Sequence, residues 1–256
     1  MAISTATTDG IAVVTVDYPP VNALPVQGWF DLADAVRDAG RDPATHVVVL
    51  RADGRGFNAG VDIKEMQRSA GFDALLGANR GCYAAFAAVY ECAVPVVAAV
   101  QGFCLGGGVG LVGNADVVVA SEDATFGLPE VDRGALGAAT HLSRLVPRQL
   151  MRTMVYTCRS VPAAQLQAFG TVLDVVPADQ LRAAARAVAA EIASKNGEII
   201  RLAKQSLNGI DPVDVRRSYR YEQGYTFELN LSGISGRARQ AFVDGKHNAD
   251  PKDSRS

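Results

Sequence analysis

Two kinds of residue in this chain have the type and spacing for chemistry. The first is glycine. Gly106, Gly107 and Gly108 follow the apolar run Val94 to Val100, and Gly54, Gly56 and Gly60 punctuate the loop from Arg51 to Gly60. Glycine lets a ligand approach the main chain closely and leaves amide hydrogens free to meet it. The second is a carboxylate. Glu130 ends the apolar turn Phe126-Gly127-Leu128-Pro129-Glu130, and burial there would lift its pKa toward the range useful to an acid or base. If the amides of Val61 and Gly107 face one point, they form an oxyanion hole, in which loss of one donor costs about 10²–10³ in rate.

Each of these residues also has a plain structural reading. Glu130 fits a solvated loop. Asp62, with Glu65 three residues on, has the spacing of a helix capping box as well as that of an assisting acid. His141, near a helix start, fits a hydrogen-bonded structural histidine or a group assisting Glu130. The literal G-x-G-x-x-G from Gly108 to Gly113 suggests a dinucleotide site, but the spacing is wrong. A parallel crossover needs about a dozen residues or more, and only Asn114, Ala115 and Asp116 separate Gly113 from the next apolar run.

The elements that must position these groups read as alternating strands and helices. Ile11 to Val16, His46 to Leu50, Val94 to Val100, Val117 to Ala120 and Val172 to Val176 are apolar, β-branched strands. Trp29, Leu32, Ala33 and Val36 recur at helical spacing, as do Leu181, Ala185, Val188 and Ile192. Phe72 to Tyr90 is an Ala-rich helix. This order predicts an α/β layered core over 1–195. From 196 to 256 the chain turns helical and polar, with Tyr219, Tyr221, Tyr225 and Phe227 crowded together and too few apolar positions for a separate core. That region should pack on the main domain or on a neighbouring subunit, with 248–256 disordered.

Composition narrows the function. The chain has 256 residues, 48% hydrophobic and 20% charged, with a net charge of -2, so it can bury a large core and offers no basic block for nucleic acid. Its four cysteines form no C-x-x-C pair and its three histidines show no zinc spacing. Free thiols in a reducing compartment follow, and no metal site. The chain shows neither a signal-peptide pattern nor an apolar run long enough for a bilayer. The expectation is a cytoplasmic protein with no membrane partner.

The stretches PPVNAL, GRGFNAGVDIKEM, GFCLGGGVGLVGNADVVVASEDATFGLPEV and GALGAATHLSRLV run in the order and spacing of the crotonase (enoyl-CoA hydratase/isomerase) superfamily, which this chain resembles over most of its length. The resemblance implies a spiral of ββα units with a C-terminal helical trimerisation region, assembled as trimers or dimers of trimers. It implies an acyl-CoA thioester substrate, whose enolate rests on the Val61 and Gly107 amides, and no separate cofactor. It places CoA along Asn22 and Ala23 of the PPVNAL loop, along Ala59, Val61, Asp62, Ile63 and Lys64, and at Lys246. Of the two glutamates that flank water in hydratases of this family, one matches Glu130 and the other falls at Gly110, which has no side chain. Longer matches, among them DYPPVNALPVQGWFDLADAV and EQGYTFELNLSG, resemble a steroid-degradation branch of the superfamily. That branch implies hydrolysis of a carbon–carbon bond, opening a ring of a bicyclic acyl-CoA. A hydratase or isomerase using Glu130 alone, and a non-catalytic acyl-CoA-binding subunit, are the competing readings.

Overall fold

A computed structural model describes residues 2–69 and 71–245; Lys246 and the segment 248–256 lie outside the described residues. In chain order the elements are β1 (Ile3–Thr8), β2 (Ile11–Val16), α1 (Val26–Arg41), β3 (Val47–Ala52), α2 (Ile63–Arg68), α3 (Asp73–Tyr90), β4 (Val96–Val100), β5 (Phe103–Leu105), α4 (Gly107–Val112), β6 (Val117–Ser121) and β7 (Thr125–Gly127). A single 3-10 turn, Val131–Arg133, follows. Then come α5 (Ala139–Leu142), α6 (Arg148–Thr157), β8 (Val161–Pro162), α7 (Ala163–Ala168), β9 (Asp174–Val176), α8 (Leu181–Ala193), α9 (Gly197–Ile210), α10 (Val215–Leu231) and α11 (Ile234–Val243).

The larger sheet has six strands in the order β1-β2-β3-β4-β6-β9. Only β1 runs antiparallel, to β2; the remaining pairs are parallel. Parallel strands are buried on both faces and so read as continuous apolar runs. One face, with Val14, Leu50, Ala98 and Ala120, packs on α1 and α3. The other, with Val49, Val97, Ala99 and Val119, is covered by Leu181, Ala185 and Ala189 of α8. A smaller sheet orders β5-β7-β8. Phe126 and Gly127, which read as part of a turn in the sequence, lie in its central strand because β5 pairs with them in parallel register.

The C-terminal helices return to this core. Tyr219 of α10 joins the main hydrophobic cluster. Lys204 of α9, only 4% exposed, places its Nζ 2.7 and 2.8 Å from the two carboxylate oxygens of Asp116, and Asp116 also accepts the Val96 amide at 2.7 Å. Lys204→Met leaves Asp116 without its cation. The expected loss is about 3 kcal/mol, at the low end for a buried pair, because the Asp116 side chain keeps 24% exposure. Urea unfolding measures it, and a change below about 1 kcal/mol would mean that the pair behaves as a surface contact.

Candidate active site

Gly60, Val61, Gly107 and Glu130 line one cavity of about 140 Å³. Each arrives there for a local reason. Asn58, 1% exposed, donates from Nδ2 to the Asn22 carbonyl (2.5 Å) and accepts the Gly60 amide on Oδ1 (2.8 Å). Its own carbonyl accepts the Leu105 amide at 2.8 Å. The loop before α2 is thereby fixed to β5. A parallel bridge joins Val61 to Leu24; it uses the Gly60 carbonyl and the Asp62 amide, at 2.9 Å each, so the Val61 amide points away from Leu24. Gly107 opens α4, where an amide has no acceptor within the helix. The backbone at Gly60 lies against this amide: a Cβ added there would come within 3.3 Å of the Gly107 nitrogen.

The small residues have steric causes. A Cβ at Gly107 would lie 2.5 Å from the Trp29 ring. Gly106 has φ +56, and its Cβ would lie 2.5 Å from Glu130 Oε1. The backbone before α4 and the Glu130 carboxylate are therefore in immediate contact. At Gly110 a Cβ would lie 2.2 Å from Phe86 Cζ. The Phe86 ring fills the place into which a side chain at position 110 would project.

Glu130 caps the 3-10 turn, its carbonyl accepting the Arg133 and Ala135 amides at 3.0 and 2.9 Å. The residue as a whole is partly exposed, but its Oε2 is buried without a hydrogen-bond partner. Burial pushes the carboxyl up to about 7 from its ordinary 4.5; the Glu222 charge adds to this, while a backbone hydrogen bond and the Arg133 guanidinium oppose it. Glu130 is the one carboxylate among the described residues lining the cavity. Cys82 also lines it, but burial raises its thiol far above the ordinary value, so it stays protonated and is a poor nucleophile.

The other predicted positions are distributed less compactly. Ala59 and Ile63 line the cavity. Asp62 does not; its carboxylate caps α2, accepting the Lys64 and Glu65 amides at 2.9 and 3.4 Å. The capping box implied by Glu65 does not close, because Glu65 Oε2 accepts the Val26 amide instead (2.7 Å). Lys64 is exposed on α2. The Asn22 side chain is buried and spent on the main chain, accepting the Tyr18 amide and donating to the Asp53 and Gly56 carbonyls; neither it nor Ala23 lines the cavity. His141 is 1% exposed and packs edge-on against the Phe86 ring, centroids 5.0 Å apart. Burial and then the Arg144 charge hold it down at about 3. The structure does not bring it to Glu130's cavity.

Several groups at the site gave no signal in the sequence. Glu222 of α10 accepts the Ala139 amide (2.9 Å), the Thr140 amide (2.6 Å) and the Thr140 hydroxyl, which fixes the Gly137-Ala138 wall of the cavity. Arg133 and Arg239 also line it, beside Tyr219, one of the tyrosines that the sequence marked for packing on the main domain. A second recess of about 800 Å³ shares Glu130, Leu136 and Gly137 but contains neither amide.

The chain matches the Enoyl-CoA hydratase/isomerase family over residues 6–226, and it belongs to that family. Its fold is that of a crystallised enoyl-CoA hydratase from Mycobacterium avium subsp. paratuberculosis, with a TM-score of 0.86 at 26% identity over 98% of this chain and 99% of that one. Within the family it is 69% identical, over 94% of this chain and 93% of the relative, to the (7aS)-7a-methyl-1,5-dioxo-2,3,5,6,7,7a-hexahydro-1H-indene-carboxyl-CoA hydrolase of Rhodococcus jostii. The hydrolase of the same name from Mycobacterium tuberculosis is 67% identical over 94% of this chain and 97% of its own length.

Proposed function

We propose that this protein hydrolyses a carbon–carbon bond in a bicyclic acyl-CoA of steroid breakdown, opening the five-membered-ring ketone of a methyl-dioxo-hexahydroindene carboxyl-CoA. The observation that carries this reading is the 67–69% identity, over 94% of the chain, to two hydrolases of that name; a single carboxylate in a cavity with Val61 and Gly107, with the Phe86 ring where a side chain at position 110 would project, agrees with it. Hydration of a simple enoyl-CoA asks for one group to activate water and another to protonate carbon. In ring opening the carbon–carbon cleavage separates the two proton transfers, so one carboxylate can take the proton from water first and deliver it to carbon afterwards.

Ionised Glu130 takes a proton from water as the water oxygen attacks the ring ketone. The bond from that carbonyl carbon to the quaternary ring-fusion carbon breaks. Its electron pair passes through the conjugated double bond to the carbonyls beyond, and the thioester oxygen bears charge against the Val61 and Gly107 amides. Protonated Glu130 then returns the proton to the carbon framework. The two amides act where charge develops, the most effective place for a fixed dipole. The chain's identity to the two hydrolases supports the same substrate. CoA would run along Ala59, Val61 and Ile63, with the exposed Lys64 meeting one of its phosphates.

The described helices include none long and apolar enough to cross a membrane, and the four cysteines are unbridged, which fits action in the cytoplasm. Ile199, Leu202 and Ile210 of α9 and Leu231 of α10 are exposed, apolar surface that a trimer or dimer of trimers formed through 196–256 would cover.

Turnover of the bicyclic dione carboxyl-CoA against straight-chain enoyl-CoA tests the assignment. Ring opening with little or no hydration of the straight chain is expected; the reverse preference would return the protein to the hydratases. The pH profile follows from Glu130. As a base it must be ionised, so kcat/KM rises as pH passes through about 7, and Glu130→Gln abolishes the inflection. A fall through the same window would make Glu130 the acid. The stability effect has the opposite sign. The folded state holds this proton more tightly than the unfolded chain, so Glu130's contribution is complete below its ordinary 4.5 and is lost as pH rises through about 7.

A further inference from the structure

The cavity contains more positive charge than water activation at Glu130 requires. Arg133 follows Glu130 by one turn, and Arg239 reaches the same cavity from α11. Arg133 stacks its guanidinium 4.5 Å from the Phe242 ring centroid, and Arg239 donates to Asn230 Oδ1 at 2.9 Å. Neither takes part in an ion pair among the described residues. The contrast is Arg144, about as buried, which is matched by Asp211 at 3.0 Å. Burial is the largest influence on both cavity arginines and holds them below their ordinary pKa, although the charges of Glu130, Cys158 and Asp132 offset part of it at Arg133. A desolvated cation is costly until an anion joins it, so this end of the cavity is built for negative charge.

The hydrolase chemistry supplies that charge, and the inference rests on that reading. Water's oxygen bonds to the ketone carbon, the bond to the ring-fusion carbon breaks, and its electron pair ends as a carbon–hydrogen bond once the proton is delivered. The former ketone is then a carboxylic acid, which releases one proton and becomes an anion. Hydration or double-bond isomerisation creates no such charge. We propose that Arg133 and Arg239 form the site that receives the oxygen of the ketone being cut and holds the carboxylate it becomes. A guanidinium fork matches a carboxylate geometrically, and it would also stabilise the negative oxygen formed when water adds. The phosphates of CoA are the other available anions, but Arg133 sits one turn from Glu130, at the reacting end.

The test compares wild type with Arg133→Gln, Arg239→Gln and Arg133→Lys, using the bicyclic dione carboxyl-CoA, its ring-opened product and butyryl-CoA, which carries CoA without ring or ketone. Each Gln variant should lower kcat/KM for ring opening by about 10- to 100-fold and weaken product inhibition by about tenfold or more, as expected for lost hydrogen bonds to a charged group. Butyryl-CoA affinity should stay within about twofold. Arg133→Lys keeps the charge and, should Arg133→Gln not fold, gives the same readout through loss of the fork, with product affinity down about fivefold. Equal losses for product and butyryl-CoA would mean that these arginines meet CoA phosphates and would overturn the proposal, as would an active wild type whose variants match it on every ligand. A wild type that leaves the ring closed would remove the hydrolase reading itself, and this site with it.

Discussion

Glu130→Gln lowers kcat for ring opening by about 10²–10⁴-fold, the usual worth of a positioned acid–base group, while affinity for CoA esters changes by no more than about threefold. The expectation follows from isolation. Glu130 is the one carboxylate among the described residues lining the cavity, and its buried Oε2 has no hydrogen-bond partner to share the load. Glutamine keeps the shape and the contact with Gly106 but cannot take a proton from water. Steady-state turnover together with CoA-ester binding separates the two effects. A variant within about tenfold of wild type in kcat would leave water activation to another group, with Glu130 reduced to packing against the α4 turn.

Gly110→Glu would put a carboxylate at the position that the family resemblance gives to the second glutamate of a hydratase, and it should fail. The first side-chain atom would lie 2.2 Å from Phe86 Cζ. Phe86 cannot retreat easily, because its ring packs on Trp29, His141 and Tyr219 with centroids 5.8, 5.0 and 5.1 Å away. Overpacking of this kind costs about 1–3 kcal/mol, and an unpaired buried carboxylate adds several more. The expected outcome is a loss of at least about 4 kcal/mol, or protein recovered only as aggregate. Gly110→Ala isolates the steric part and should cost about 1–3 kcal/mol. Thermal melting and a crotonyl-CoA hydration assay decide it. A stable Gly110→Glu protein that hydrates crotonyl-CoA would show that the aromatic cluster yields, and that this site lies one substitution from a hydratase.

Much of this arrangement could be read from the chain because it is written in local patterns. β3, β4 and β6 are short apolar runs, since parallel strands with both faces buried admit little else. α1 and α8 show their buried faces at helical spacing. The motifs that carry Val61, Gly107 and Glu130 marked residues that line one cavity. Features that depend on distant partners were not. β1, Ile3–Thr8, is β-branched at four of six positions but almost wholly exposed, so it lacks the apolar run that marks the other strands and is fixed by pairing with β2. β5, β7 and β8 have two or three residues each and exist only as a sheet. Glu65 had the spacing of a capping box but lies nearer the Val26 amide, 39 residues away. Arg239 and Glu222 join the site because α10 and α11 fold back onto the turns after Glu130. Ser235, for example, donates to the Gly134 carbonyl across 101 residues.

The most direct test of the hydrolase reading is ring opening in water enriched in heavy oxygen, followed by fragmentation mass spectrometry of the product. The expected product has gained one water, has one ring opened, and carries the labelled oxygen in a new free carboxylate while the thioester oxygen stays unlabelled. A product that has gained water with both rings intact, or that carries the label on a ring carbon as an alcohol, would contradict carbon–carbon hydrolysis and place the protein among the hydratases.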